Sequence, residues 1–98
     1  MHAMIVTVKF DQSQKEQQTR TLREAIVPQV RQAPGFVAGY WARDDSAGKG
    51  HSFVVFETEE AAQQMIAAMK GGMATAPNPG VELEFVTVGH IDAEARVS

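Results

Sequence analysis

Two histidines and a tyrosine are the side chains best suited to move a proton in this sequence. His51 and His90 can each accept or donate a proton near neutral pH, and the phenol of Tyr40 can hold an anion. Solvation at a strand end is the plainer interpretation of both histidines, and packing is the plainer one for Tyr40. We keep all three as candidate catalytic residues. We expect His2 to lie in a disordered terminus.

A second group of residues is typical of a pocket for a small aromatic molecule. Tryptophan offers a flat apolar wall, arginine a fixed positive charge, and methionine a surface that adapts to irregular shapes. The candidate substrate-binding residues are Trp41, Arg43, Phe56, Met65 and Met69. Core packing is the alternative for the aromatic and methionine side chains. For Arg43 the alternative is an exposed turn with a local ion pair to Asp44 or Asp45.

Composition excludes several other kinds of chemistry. The sequence has no cysteine, which rules out disulfides, thiolate metal sites and cysteine nucleophiles. Three histidines without carboxylates at ligand spacing make a poor metal set, so we expect no metal and no other cofactor. The formal net charge of −3, with scattered basic residues, argues against nucleic acid as a partner.

The N-terminal stretch MHAMIVTVKF has no basic segment ahead of its short apolar run. That pattern fits neither a signal peptide nor a membrane span. We therefore expect a cytoplasmic protein with no membrane partner.

Apolar periodicity predicts the elements that must position these side chains. Strands are predicted where β-branched and apolar residues run together, and helices where apolar residues recur every three or four positions. The predicted strands cover 3–10, 36–43, 51–57 and 81–91, and the predicted helices cover 11–32 and 59–70. The order is β-α-β-β-α-β.

Local signals sharpen the ends of the two helices. A capping box of Ser13 and Glu16, or else Asp11, starts the first helix, and Thr58 starts the second. Pro28 removes a backbone donor inside the first helix, so we expect a kink or break over residues 24–28 with one more helical turn beyond it. The stretch 71–80, GGMATAPNPG, is predicted to be a loop, either a simple connection or a lid over a pocket.

This order is that of the ferredoxin-like split βαβ, an α+β fold. Right-handed crossovers give a four-stranded antiparallel sheet of order 4-1-3-2 with both helices on one face. Strands 1 and 3 are then central, and both are apolar on both faces. A monomer rarely leaves such a patch exposed, so we predict a homodimer that pairs through the open sheet face.

The stretch VPQVRQAPGFVAGYWARDD, followed by HSFVVFETEEAAQQMI, resembles the antibiotic biosynthesis monooxygenase domain of the dimeric α+β barrel superfamily. The resemblance rests on Pro34-Gly35-Phe36 between the first helix and the second strand, on the aromatic residues of the second strand, and on residues 56–62, where the third strand meets the second helix. The resemblance covers about residues 3–91 and implies a dimeric α+β barrel. Haem-degrading members carry an Asn on the first strand and a His on the second helix. This sequence has neither, which argues against haem degradation.

The sequence therefore predicts one domain over residues 1–98, with its core within about 3–91. The resemblance implies a cofactor-independent monooxygenase-like protein that acts on a small aromatic, quinol or polyketide-like molecule. The alternative is a non-catalytic small-molecule-binding or dimerisation module with the same fold.

Overall fold

A computed structural model describes residues 1–71 and 80–97 of the chain. The helical region between the first two strands contains two short α-helices joined by a π-helical segment. The elements are β1 (His2–Phe10), α1 (Lys15–Thr21), α2 (Val27–Arg31), β2 (Phe36–Asp44), β3 (Lys49–Phe56), α3 (Glu59–Lys70) and β4 (Val81–His90).

The four strands form one antiparallel sheet in the order β2-β3-β1-β4. This is the predicted ferredoxin-like α+β order, with the two doubly apolar strands, β1 and β3, at the centre. The main difference lies in β3, which starts at Lys49 rather than at residue 51. The predicted fold class is confirmed.

The first helical region begins at Asp11 and not with the predicted Ser13–Glu16 box. The carboxylate of Asp11 accepts from the backbone N–H of Ser13 at 3.0 Å and from its hydroxyl at 2.7 Å. These two bonds, and a weaker one from Gln14, lower the pKa of Asp11. Ser13 is thus a donor to the cap, because the 3₁₀ turn of Gln12–Gln14 starts one residue earlier than the helical pattern suggested.

Pro28 perturbs the helix in the predicted place. Residues Leu22–Ile26 are π-helical, and the N–H of Val27 donates to the carbonyl of Leu22, five residues back. A proline has no N–H for the carbonyl four residues before it, so the widened turn is one way to carry the chain past it. One more turn, α2, follows as predicted.

The second helix also follows its predicted limits. The hydroxyl of Thr58 accepts from the N–H of Ala61 at 3.1 Å, and α3 ends at Lys70. The predicted loop or lid over 71–80 lies outside the described residues except for its first and last positions. No helix in the described parts of the chain is long and apolar enough to cross a membrane.

One face of the sheet carries the core. Side chains of β1 and β3 pack there against α2 and α3, and the buried cluster is Met4, Val6, Val30, Val54, Phe56, Ala62 and Met65. We call this the helix-side face. The opposite, open face carries exposed aromatic side chains: Tyr40 is 70% exposed, Phe53 43% and Phe85 55%. Both faces of the central strands are therefore apolar, as predicted.

His2 contradicts its sequence-based expectation. It is the first residue of β1 and pairs with Phe56 on one side and His90 on the other. The extra pairing at this end of the sheet holds it in place, so it does not lie in a disordered terminus.

Candidate functional site

The strand register divides the candidate residues between the two faces of the sheet. Directly opposed residues in neighbouring strands share a face. Trp41 lies opposite Ser52 and Arg43 opposite Gly50, in the rows of Val6 and Val8. These rows belong to the helix-side face. Tyr40 and His51 lie in the alternate rows, which belong to the open face.

Trp41 is partly buried and packs against the core cluster. Its ring covers Gly39, because a Cβ on that glycine would lie 2.7 Å from the indole atom Cη2. The same position is 3.5 Å from the ring of Phe36. A residue without a side chain thus makes the space that the indole occupies. Gly39 sets the position of Trp41 on the face of β2.

Gly39→Ala is expected to push the indole out of place. The new methyl group overlaps the ring, which costs about 1–3 kcal/mol of stability and moves Trp41 toward solvent. Trp41 is the only tryptophan in the chain, so its fluorescence emission should shift to longer wavelength. Gly89→Ala is the matched control, since a Cβ there has no neighbour within 4 Å among the described residues. An unchanged emission spectrum in Gly39→Ala would contradict this packing.

Phe10 and Arg43 repeat this arrangement one row along the sheet. A Cβ on Gly50 would lie 2.6 Å from the ring of Phe10, so the ring covers this glycine. The guanidinium of Arg43 stacks over the same ring, with Cζ 4.0 Å from its centroid. A cation over an aromatic face is attracted by the ring quadrupole. Gly50, Phe10 and Arg43 thus form a close-packed stack.

The Arg43 side chain is only 18% exposed and donates several hydrogen bonds. Its Nε donates to Asp45 Oδ1 at 2.9 Å, and its Nη2 to Gln12 Oε1 at 2.8 Å and Gln18 Oε1 at 2.9 Å. Its Nη1 has no hydrogen-bond partner among the described residues. Arg43 forms the predicted ion pair with Asp45, but its side chain is mostly buried and is not that of an exposed turn residue.

Asp45 forms ion pairs with both Arg43 and Lys15. Its Oδ2 accepts from Lys15 Nζ at 3.0 Å. The hydrogen bond from Lys15, aided by the one from Arg43, lowers the pKa of Asp45, although partial desolvation opposes the shift. The carboxylate therefore stays ionised beside the guanidinium at neutral pH.

The other candidate binding residues are packed into the core. Phe56 is completely buried and meets Phe36 edge to face, with ring centroids 6.3 Å apart. Met65 is 6% exposed, and Met69 packs against the cluster from its margin. None of the candidate residues lines the surface depression beside Phe10 and Val81 or the one along residues 12–20.

The three candidate proton-transfer residues do not come together. His51 Nδ1 lies 3.2 Å from the hydroxyl of Thr7 on the open face, where Tyr40 is its diagonal neighbour. His90 lies at the far edge of the sheet, edge to face with His2 at 5.4 Å. His2 Nε2 is in turn 4.0 Å from Glu59 Oε2. Among the described residues, no three His, Asp or Glu side chains are arranged to hold a metal ion.

Sequence reasoning missed three residues of this region: Phe10, Gln12 and Gln18. Gln18 is 2% exposed and its Nε2 donates to the backbone carbonyl of Asp11 at 2.8 Å. Gln18 is one of several glutamines in a polar stretch, and its type carries no signal of burial. Its spacing of four residues from Leu22, which puts both on the same side of the predicted helix, was the sequence signal that indicated burial.

Several solved structures share this fold over nearly their whole lengths. HapK from Hahella chejuensis has a TM-score of 0.78 at 13% identity, covering 100% of this chain and 99% of that one. A monooxygenase from the ActVA-Orf6 gene of Streptomyces coelicolor, in complex with nanaomycin D, scores 0.67 at 13% identity, covering 99% and 92%. The heme-degrader MhuD from Mycobacterium tuberculosis, with two hemes bound, scores 0.68 at 17% identity, covering 98% and 100%.

A scan against protein-family models and a search of curated proteins found no match. At these identities the structural likeness establishes the fold. It agrees with the fold that the sequence resemblance implied.

Proposed function

We propose that this protein is a cofactor-independent monooxygenase-like protein that acts on a small aromatic, quinol or polyketide-like molecule. The main observation in support is that Trp41 and Arg43 lie on the same, helix-side face of β2. They are two residues apart on one strand, so their Cα atoms are separated by about 6.5 Å. A substrate ring that packs against the Trp41 indole would then have its oxygen substituent within reach of the Arg43 guanidinium.

In this proposal the candidate binding residues have different roles, which follow from their side-chain chemistry. Trp41 and Met69, which both pack against the core cluster, supply the apolar contact, and Phe56 and Met65 support them from within that cluster. Arg43 stabilises the phenolate form of the substrate, because a fixed cation near an ionisable hydroxyl favours its anion. The crystal structure of a monooxygenase with the same fold in complex with nanaomycin D supports a small-molecule substrate.

The substrate itself supplies the electrons. A hydroquinone that has lost a proton passes electrons to O₂, and one oxygen atom enters the ring while the other leaves as water. The balance is one hydroquinone plus one O₂ to one hydroxyquinone plus one water. The protein contributes orientation and electrostatic stabilisation of the anion. His51, Tyr40 and His90 remain proposed proton-transfer residues, His90 being the one on the helix-side face.

Oxygen uptake with a panel of hydroquinones is the direct test. We expect uptake without added metal or flavin, and one labelled oxygen atom per product molecule under ¹⁸O₂. Trp41→Leu should slow it about tenfold or more, because the ring contact that orients the substrate is lost. Added catalase separates this reaction from simple autoxidation, which releases hydrogen peroxide. Products without label, or equal rates with heat-denatured protein, would exclude the activity.

A specific observation favours the second candidate function, a non-catalytic binding or dimerisation module. The proton-transfer candidates lie away from Trp41, with His51 and Tyr40 on the other face of the sheet. Binding without turnover requires only Trp41 and Arg43. Quenching of Trp41 fluorescence by a hydroquinone, without oxygen consumption, would select this function over the first.

We further propose that the protein is a homodimer that pairs through the open face, and that it is cytoplasmic. The exposed aromatic side chains on this face, Tyr40, Phe53 and Phe85, are spread over β2, β3 and β4. An ion pair between Lys49 and Glu84, 3.0 Å apart, lies toward one end of the sheet. Apolar side chains with a charged margin suit an isologous contact. The lack of cysteine suits a reducing compartment.

Sedimentation equilibrium tests the dimer. We expect a species of twice the 10.7 kDa chain mass at micromolar concentration, because the open face buries its aromatic side chains only against a partner. A stable 10.7 kDa species over the whole concentration range would contradict the proposal.

A further inference from the structure

Gln18 is the one polar side chain that is buried in the described parts of the chain. Its exposed fraction is 2%, and it projects from α1 toward the end of the sheet. Burying an amide is costly unless both of its ends are hydrogen-bonded. Among the described residues, Gln18 has partners in two different parts of the chain, Asp11 and Arg43.

The two partners determine which way the amide points. Arginine carries only donors, and a backbone carbonyl is only an acceptor. The Oε1 of Gln18 must therefore face Arg43, and its Nε2 must face the carbonyl of Asp11, as the structure has them. A flipped amide would set two donors against each other and two acceptors against each other. Glutamate would satisfy Arg43 but would place an oxygen against the Asp11 carbonyl.

This amide joins segments that are far apart in sequence. Asp11 follows β1, and its N–H donates to the carbonyl of Gly80, just before β4. Arg43 ends β2 and is also held by Gln12 and Asp45. The contact between Gln18 and Arg43 therefore connects the start of the helical region with the end of an edge strand.

We propose that Gln18 is a positioning residue that holds the Arg43 guanidinium with Nε and Nη2 engaged and Nη1 available to a ligand beside Trp41. The ligand part of this inference rests on the proposed function. The positioning part rests on the hydrogen bonds alone. Arg43 without Gln18 keeps Asp45 and Gln12, which are exposed residues, and loses its buried partner.

Nuclear magnetic resonance of the Arg43 side chain tests the positioning directly. In the wild-type chain we expect resolved, slowly exchanging Nη protons and an Hε signal shifted upfield by the ring of Phe10. Gln18→Met keeps the length of the side chain and removes its hydrogen bonds to Asp11 and Arg43, and should average the Nη signals and reduce the shift. Gln17→Met, the same change at the exposed neighbour, should leave them unchanged. Arg43→Lys identifies the signals by their loss.

Two results would overturn the positioning role. One is averaged, fast-exchanging Nη protons in the wild-type chain, which decides the matter even if Gln18→Met does not fold. The other is an unchanged Arg43 spectrum in a folded Gln18→Met.

Anaerobic quenching of Trp41 fluorescence by 1,4-dihydroxynaphthalene tests the ligand part. We expect Gln18→Met to weaken binding about tenfold, as for loss of an oriented charged hydrogen bond, and Gln17→Met to match the wild type. Equal affinity in Gln18→Met and the wild type would overturn the ligand part. No quenching in the wild type would overturn the ligand part and count against the proposed function, while the magnetic resonance result still decides the positioning.

Discussion

Val54→Asp is expected to prevent folding, whereas Phe53→Asp, one residue earlier, is expected to leave the fold intact. Val54 is 1% exposed in the middle of the helix-side core, where a carboxylate finds no partner among its apolar neighbours. Burying an unpaired charge costs several kcal/mol, which is comparable with the whole stability of a domain this small. Circular dichroism and a urea titration would measure the difference.

Phe53 is the matched control because it differs from Val54 in facing the open side. Its side chain is 43% exposed, so a carboxylate there remains hydrated in a monomer. Under the proposed dimer, Phe53→Asp places two like charges in the interface and should give a folded 10.7 kDa monomer. A cooperative, near-normal unfolding curve for Val54→Asp would contradict the assignment of faces. A normal dimer in Phe53→Asp would contradict the interface.

The elements and their order could be predicted from the sequence because each leaves a periodic signal. The β-α-β-β-α-β order placed β1 and β3 at the centre of the predicted sheet, and the runs AMIVTVKF and HSFVVFE, which are apolar on both faces, agree with that position. The helical spacing after Thr58 and the hydroxyl cap itself determined α3. Such signals are local, so they survive without knowledge of neighbours in space.

The face on which each β2 residue lies could not be predicted in the same way. Strand alternation puts Phe36 and Tyr40 on one side and Trp41 on the other. A bulge between Phe36 and Ala38 shifts the register by one residue. As a result Phe36 and Trp41 share the helix-side face, and Tyr40 points away from it. A one-residue shift reverses the faces of all residues beyond it.

The surroundings of Arg43 were unpredictable for a different reason. Its hydrogen-bond partners Gln18 and Gln12 are 25 and 31 residues away in sequence. Glutamines in a polar helix are ordinary surface residues, and nothing in their type marks the one that turns inward. The sequence predicts that Arg43 binds a ligand, which stays a prediction, and the structure adds the neighbours that hold its guanidinium.

Phe56→Ala is expected to destabilise the domain by about 3–5 kcal/mol, the usual cost of removing a buried aromatic side chain. Phe56 is completely buried, packs edge to face on Phe36 and pairs with His2 across the sheet. Little of that volume can be refilled, because β3 lies in the middle of the sheet. Urea denaturation monitored by circular dichroism gives the free energy of unfolding. Phe56→Leu, which restores most of the volume, should lose much less.

These variants also separate the two roles proposed for Phe56. A side chain that only supports the wall behind Trp41 affects ligand binding through stability and core volume. The affinity of folded Phe56→Leu for a hydroquinone should then stay near that of the wild type. A side chain that contacts the ligand would behave in the opposite way, since Phe56→Leu would keep its stability and lose affinity. The complete burial of Phe56 favours the first outcome. Comparing unfolding with fluorescence quenching in Phe56→Leu therefore decides whether the ligand reaches β3 or stops at β2.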